Sequence, residues 1–420
     1  MLKTGPTVTA LVAISFLTVA LQIPRDAWAS TAALSLGSGV AALSLMAWAA
    51  VLGGRWRFVE AAFGGLDRVY ETHKWLGVWA LGLASFHLVF SASSDAWTSA
   101  AIVPLPRPAT RLIRQLSFVV LMLIVLLALN RKIPYSVWRW WHKLSGPSLL
   151  VVIAHWLTFK SPIALLSPAG LWLATVSALG AAAALYKLLL YPLLSNHAEY
   201  RLVAVSPSDS AARLELAPVK RGLDFAPGQF AFVAWQHPGL REPHPFTIAS
   251  ADRPDGHIAF VIRALGDYTG RLLAEATPGM RASVYAPFGR FERAGNGARE
   301  IWVAGGVGIT PFLAWLQDER ADGLDRVTLF YFYTPGRGLP ETVDLETLAQ
   351  RRGVEYIPIT TGPGTPSFVQ RFARIVGDDG ASPVRISFCG PKGLLKRLRS
   401  LMHEHGVADT QLHYEQFEFR

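Results

Sequence analysis

One cysteine, Cys389, stands among 420 residues, so no disulfide framework and no cysteine-based structural zinc site can be built. No Cys-x-x-Cys-His run occurs, which excludes covalently attached haem of the c type. Charge is scarce too: Asp, Glu, Lys and Arg make up 17% of the chain, against 51% apolar residues. The scarcity is uneven. Residues 1–195 hold nearly uninterrupted hydrophobic runs, whereas the remainder reads as a soluble mixture of strands and helices. A net charge of +10 could suggest nucleic acid. Beside membrane runs, however, a basic excess marks cytoplasmic loops facing anionic lipid, so no nucleic-acid partner is expected.

Six runs are long enough to cross a hydrocarbon core of ~30 Å: residues 8–24, 31–53, 71–92, 112–129, 137–159 and 169–194. The first also reads as a secretory signal, with Lys3, an apolar stretch and Ala27-Trp28-Ala29 as cleavage site. Either reading leaves the later topology the same. Arg55, Arg57, Arg68 and Lys74 lie between runs two and three, and Arg131, Lys132, Arg139 and Lys143 between runs four and five. Positive loops stay in the cytoplasm, which puts both termini there and sends run three from inside to outside. Arg107, Arg111 and Arg114 are the exception to this bias.

Four histidines break the apolar half. His73 and His87 bracket "HKWLGVWALGLASFH", fourteen residues or ~21 Å of helix apart and on nearly one face. His142 and His155 are thirteen apart, ~20 Å of helix, and a straight helix would turn them away from each other. Gly146 and Pro147 between them can supply the kink that realigns them. Taken singly, each histidine is more readily an interfacial or core residue with a hydrogen-bonded partner. Four in this pattern, with no fifth before residue 196, argue for function, because an ionisable group in a bilayer is costly. Two helices offering an imidazole near each leaflet form two bis-histidine sites, and two b-type haems fit them. The inner pair is His73 with His142; the outer pair is His87 with His155.

In the soluble half, "EYRLVAV", "ARLELAPV", "GQFAFVAW", "PFTIAS" and "HIAFVIRAL" alternate as strands of a small antiparallel barrel do. Strands and helices then alternate through "EIWVAGG", "TPFLAWLQDER", "RVTLFYFY", "VEYIPIT" and "VRISFCG", the pattern of a parallel sheet. Gly305, Gly306, Gly308 and Thr310 fall between such a strand and helix, where glycines let the backbone approach a pyrophosphate. The expected domains are residues 1–195 in the membrane, 196–296 as the barrel and 297–420 as the nucleotide domain.

Together these segments resemble the ferric reductase and NADPH oxidase superfamily, and its short bacterial members most. The resemblance rests on the four histidines at their 14 and 13 spacing, "HPFTIAS", "RALGDYTGRL", "GGVGITPF", "CGP" and "YEQFEF". It implies a six-helix transmembrane haem bundle joined to a cytosolic ferredoxin-reductase-like module, with FAD and NADPH or NADH as donor. By the same resemblance His244, Pro245, Phe246 and Thr247 line the flavin, with the Thr247 hydroxyl near the ring nitrogen that receives hydride. Arg263 and Thr269 hold the FAD diphosphate, a task suited to guanidinium and hydroxyl donors. Cys389 stands beside the nicotinamide, or is only a small buried apolar residue. Phe417, or Phe419, covers the isoalloxazine.

The resemblance implies electron transfer to an external acceptor, oxygen giving superoxide or else a ferric chelate, with no obligatory protein partner. Feeding a periplasmic partner enzyme is a further reading, disfavoured by short outer loops. A six-span transporter with a nucleotide sensor is another, disfavoured by the lack of an internal repeat. Where eukaryotic oxidases carry a further histidine beyond the outer ligand, this chain has Ser91, which puts their oxygen site in doubt. A 2′-phosphate on the donor needs a cation after "LFYFY". Arg337 occupies that loop with no acid before Glu341, so both nucleotides are expected to serve, with a bias to NADPH.

Overall fold

The computed structural model describes residues 1–130, 132–133, 135–208, 210–293, 298–336, 344–377 and 384–414. The chain forms two compact units, divided between Ser195 and Asn196.

The first unit is helical: α1 (Thr4–Ala20), α2 (Thr31–Leu52), α3 (Arg57–Phe63), α4 (Leu66–Val89), α5 (Arg107–Leu129), α6 (Tyr135–His142), α7 (Ser145–Thr158), α8 (Pro168–Leu185) and α9 (Tyr191–Leu194). A π-helical turn, Tyr186–Leu190, joins the last two. Among the described residues three helices are long and apolar enough to cross a membrane: Thr31–Leu52, Arg107–Leu127 and Pro168–Leu194. Two of them begin at serine caps. Ser30 accepts from the Ala33 N–H and Ser167 from the Gly170 N–H, satisfying donors that a helix start leaves free.

Helix α2 is the axis of this unit and packs on α1, α4, α7 and α8. Its sequence explains why. Small residues let helices approach closely where lipid gives no hydrophobic drive between them. Ala41 and Ala47 are fully buried, and so are Ser35 and Ser44. Trp172 on α8 donates its indole N–H to Ser44 Oγ at 2.9 Å and to Ser15 Oγ of α1 at 3.2 Å, tying three helices through buried hydroxyls. By contrast α5 exposes Leu112, Leu116, Leu123 and Leu126, the character of a lipid-facing surface.

The expected run 137–159 is two helices. The chain tightens at Lys143 and Leu144, whose N–H groups reach back three residues to Trp140 and Trp141. The break lies just ahead of Gly146 and Pro147. A proline at 147 in a continuous helix would clash with the carbonyl of residue 143, whereas in the first turn of α7 it displaces nothing.

The second unit opens with an antiparallel sheet of β1 (His197–Pro207), β2 (Ala211–Pro218), β3 (Phe230–Trp235), β4 (His244–Thr247), β5 (Ile258–Arg263) and β6 (Arg281–Phe288), in the order β4-β3-β6-β1-β2-β5. An isolated bridge between Ile248 and Phe260 brings the two ends together, so the barrel is nearly closed. Helix α10 (Asp267–Glu275) lies between β5 and β6. Strand β6, "RASVYAPF", sits in the middle of the sheet although it was not among the expected strands.

A parallel sheet follows, built from β7 (Glu300–Gly305), β8 (Val327–Phe332), β9 (Glu355–Ile359), β10 (Arg385–Cys389) and β11 (Leu412–Tyr414), in the order β11-β10-β7-β8-β9. Helices α11 (Thr310–Gln317), α12 (Leu345–Arg351), α13 (Pro366–Gly377) and α14 (Lys392–Glu404) connect it. The chain runs outward from β7 through β9, then returns to place β10 on the other side of β7. Ligands in such sheets bind at this reversal, outside the strands' carboxyl ends.

Candidate functional sites

The four membrane histidines meet in the expected pairs. His73 of α4 and His142, the last residue of α6, have ring centroids 5.8 Å apart with planes at 72°. His87 of α4 and His155 of α7 are 6.2 Å apart at 85°. An imidazole nitrogen lies roughly 2 Å from a metal it ligates, so two rings sharing one ion stand roughly 6 Å apart centre to centre. Among the described residues no three His, Cys, Asp or Glu side chains group to hold a bare ion. Two imidazoles alone are too few for that, whereas one or two protein side chains suffice to hold a haem iron. The residues fit haem.

The rings are held differently within each pair. His73 Nδ1 lies 2.8 Å from the Ala49 carbonyl and His87 Nδ1 lies 2.9 Å from that of Ser35. A carbonyl only accepts, so Nδ1 carries the proton and Nε2 is left for a metal. Nδ1 of His142 and of His155 has no hydrogen-bond partner among the described residues. Trp138 stacks on His142 at 5.0 Å, and Phe159 lies 4.6 Å from His155. Ser91 falls beyond the end of α4 at Val89, and its hydroxyl is 2.7 Å from that of Ser93.

In the soluble unit β4 ends the sheet order, leaving the half-buried His244, Pro245 and Phe246 on an edge strand. Thr247 is buried and pairs with Phe230 of β3. The His244 ring stacks on Tyr268 at 3.5 Å and 14°, and the Tyr268 hydroxyl donates to the carbonyls of Leu240 and Glu242 at 3.1 Å each. Tyr268 was not singled out from sequence; its place inside "GDYTG", on the helix after β5, was the available signal. Thr269 Oγ1 accepts from the N–H groups of Leu265, at 2.9 Å, and Gly266, at 3.1 Å. Its hydroxyl therefore shapes the turn that opens α10.

The glycine loop and the turn after β10 touch backbone to backbone. A Cβ on Gly308 would stand 2.3 Å from the Cys389 carbonyl oxygen, and one on Gly305 would stand 2.6 Å from Pro391 Cδ. Gly306, at φ +57°, would bring a Cβ within 3.1 Å of Arg263 Nη1. Glycine at these positions keeps the two strand ends together at the sheet's reversal and brings Arg263 to the same place. Thr310 is buried and donates to the Val307 carbonyl at 3.0 Å. Cys389 is fully buried against Gly308. Arg337, Phe417 and Phe419 lie outside the described residues.

Two family models match the chain. One, described as ferric reductase like transmembrane component, matches residues 38–154; the other, an FAD-binding domain, matches residues 196–296. The chain thus carries a ferric-reductase-like transmembrane component followed by an FAD-binding domain. NADPH oxidase 3 of Homo sapiens is 28% identical over 253 residues, which cover 47% of this chain and 44% of that protein. Methane monooxygenase component C of Methylosinus trichosporium is 31% identical over 188 residues, covering 44% and 48%. The chain spans about half the length of these curated relatives. The solved phthalate dioxygenase reductase aligns with 52% of this chain and 68% of its own, at 18% identity and a TM-score of 0.44.

Proposed function

We propose that this chain is an NAD(P)H oxidoreductase of the ferric reductase and NADPH oxidase superfamily, carrying electrons across a membrane from a cytosolic nicotinamide to an external acceptor. The observation that supports it most is the pair of imidazole couples, each at a separation that suits two ligands of one iron, with His73, His87 and His142 inside the matched transmembrane component and His155 one residue past its end. Six membrane passes with cytoplasmic termini follow if α1, α4 and the α6–α7 pair also span.

His73 and His142 hold the inner haem, and His87 and His155 the outer one. Pro245, Phe246 and the His244–Tyr268 stack form the wall against which an FAD ring lies. Arg263 binds its diphosphate, and the Thr247 hydroxyl positions the ring nitrogen. Gly305, Gly306, Gly308 and Thr310 admit the pyrophosphate of NADPH or NADH, and Cys389 closes the floor where the nicotinamide rests. Phe417 is assigned to cover the flavin, and Arg337 to favour NADPH. When bound there, FAD would supply the chemistry that links two-electron hydride transfer to one-electron transfer, and haem at the histidine pairs would supply one-electron chemistry.

Bis-histidine iron has no open position, so the acceptor need not bind metal. Oxygen, giving superoxide, is the reading we adopt. NADPH oxidation by the purified protein, followed with a dye sensitive to superoxide dismutase and then with ferric citrate, tests it. Dismutase-insensitive turnover that requires ferric citrate would replace oxygen by a ferric chelate.

A further inference from the structure

Helix α2 repeats itself at the interval by which α4 repeats its histidines. Ser35 and Ala49 are fourteen residues apart, as are Gly39 and Gly53, and as are His73 and His87. The Ser35 carbonyl meets His87 Nδ1 and the Ala49 carbonyl meets His73 Nδ1. Four residues on from each carbonyl stands a glycine. A Cβ on Gly39 would lie 2.9 Å from both Cε1 and Nδ1 of His87, closer than carbon atoms approach. One on Gly53 would lie 3.8 Å from His73 Cε1, ordinary contact. Equal rise per residue keeps both meetings in register along two packed helices. The outer meeting is also the more crowded, because Ser35 Oγ, which donates to the Phe90 carbonyl at 2.7 Å, lies 3.3 Å from His87 Nδ1.

We infer that α2 is the positioning element for both ligands that α4 supplies, with Gly39 and the Ser35 carbonyl forming a tight socket for His87 and Gly53 and the Ala49 carbonyl a looser one for His73. Each iron is thus held by one anchored and one unanchored imidazole, since His142 and His155 have no Nδ1 partner among the described residues. The inference rests on the haem reading above. Acceptors on a ligand's far nitrogen fix its tautomer and raise its basicity, so the anchored histidines are the stronger donors to iron.

Redox potentiometry and electron paramagnetic resonance on the full-length, haem-loaded protein test this. Gly39→Ala places a methyl group where the His87 ring edge now lies and drives the ring off the Ser35 carbonyl. The imidazole then donates less to iron, and the outer haem's midpoint potential rises while the inner one stays. Gly53→Ala, whose methyl group meets His73 only at ordinary contact distance, moves the inner midpoint less than Gly39→Ala moves the outer one. Unmoved midpoints in fully loaded Gly39→Ala, or equal shifts in the two variants, would overturn the inference. Should Gly39→Ala fail to retain haem, proton ENDOR of the wild type decides. Two classes of imidazole N–H per haem, one hydrogen-bonded and one free, support the sockets; a single class refutes them. A wild type that binds no haem overturns the haem reading itself, and the pyridine haemochrome count recognises that case.

Discussion

The two units bury different things. In the soluble unit the core is aromatic: Tyr200, Trp235, Trp302 and Trp315 are almost wholly buried, and the largest fully buried side chains among the described residues all lie there. In the membrane unit most fully buried positions are small, such as Ala41, Ala47, Ala80, Ala183, Ser35 and Ser44, with Leu45 and Leu76 beside them. Water drives large apolar groups inward in the first case. Lipid does not distinguish a buried leucine from an exposed one, so close backbone approach and buried hydroxyls hold the helices. The membrane unit therefore holds its half-buried histidine pairs beside a closely packed α2, while the soluble unit packs around large aromatic side chains.

Removing a histidine breaks the comparison most severely. His87→Ala or His155→Ala is expected to remove the outer haem, halve the pyridine haemochrome count and bring external reduction to background. Retention of both haems in either variant would refute the pairing.

The aromatic core comes next. Trp315→Ala, which also loses a hydrogen bond from the indole to the Pro227 carbonyl, should cost roughly 3–5 kcal/mol in the soluble unit. Thermal release of FAD fluorescence should shift downward while the haem absorbance of the membrane unit holds. A joint loss would show that the units do not fail independently.

A smaller effect sharpens the flavin assignments. Arg263→Ala removes a charge-assisted phosphate bond of roughly 1.5–3 kcal/mol, about tenfold to a hundredfold in FAD affinity. Thr247→Ala should retain FAD and slow its reduction in stopped flow. Unchanged flavin reduction would clear Thr247 of its role.

The smallest expected effect is nucleotide choice. A preference for NADPH of less than about tenfold, under ~1.4 kcal/mol, should vanish in Arg337→Ala when kcat/KM is compared for both donors. A wild-type preference for NADH would overturn that assignment.

Much of this was legible in sequence. Period-two alternation disclosed five barrel strands, and a strand, a glycine run and a helix disclosed the turn at the reversal of the parallel sheet, because those signals are local. Strand β6 alternates as well, yet its central place between β3 and β1 depends on pairings across more than forty residues of chain. The role of Tyr268 was hidden for the same reason, since its ring is defined by His244, on a strand more than twenty residues earlier.

By itself, the sequence determined which residues are available for chemistry: four histidines at spacings of fourteen and thirteen, glycines at a strand end and a lone cysteine. Spacing along a helix converts directly into height and angle, so two stacked levels of imidazole follow from residue numbers alone. Only the tertiary structure decided that the chain breaks at Lys143 and Leu144, so that His142 and His155 come from two helices and each meets its partner. It alone brought Gly39 against His87 and Arg263 against Gly306. Contacts of that kind join separate elements, and whether a missing Cβ matters depends on what another part of the chain has placed beside it.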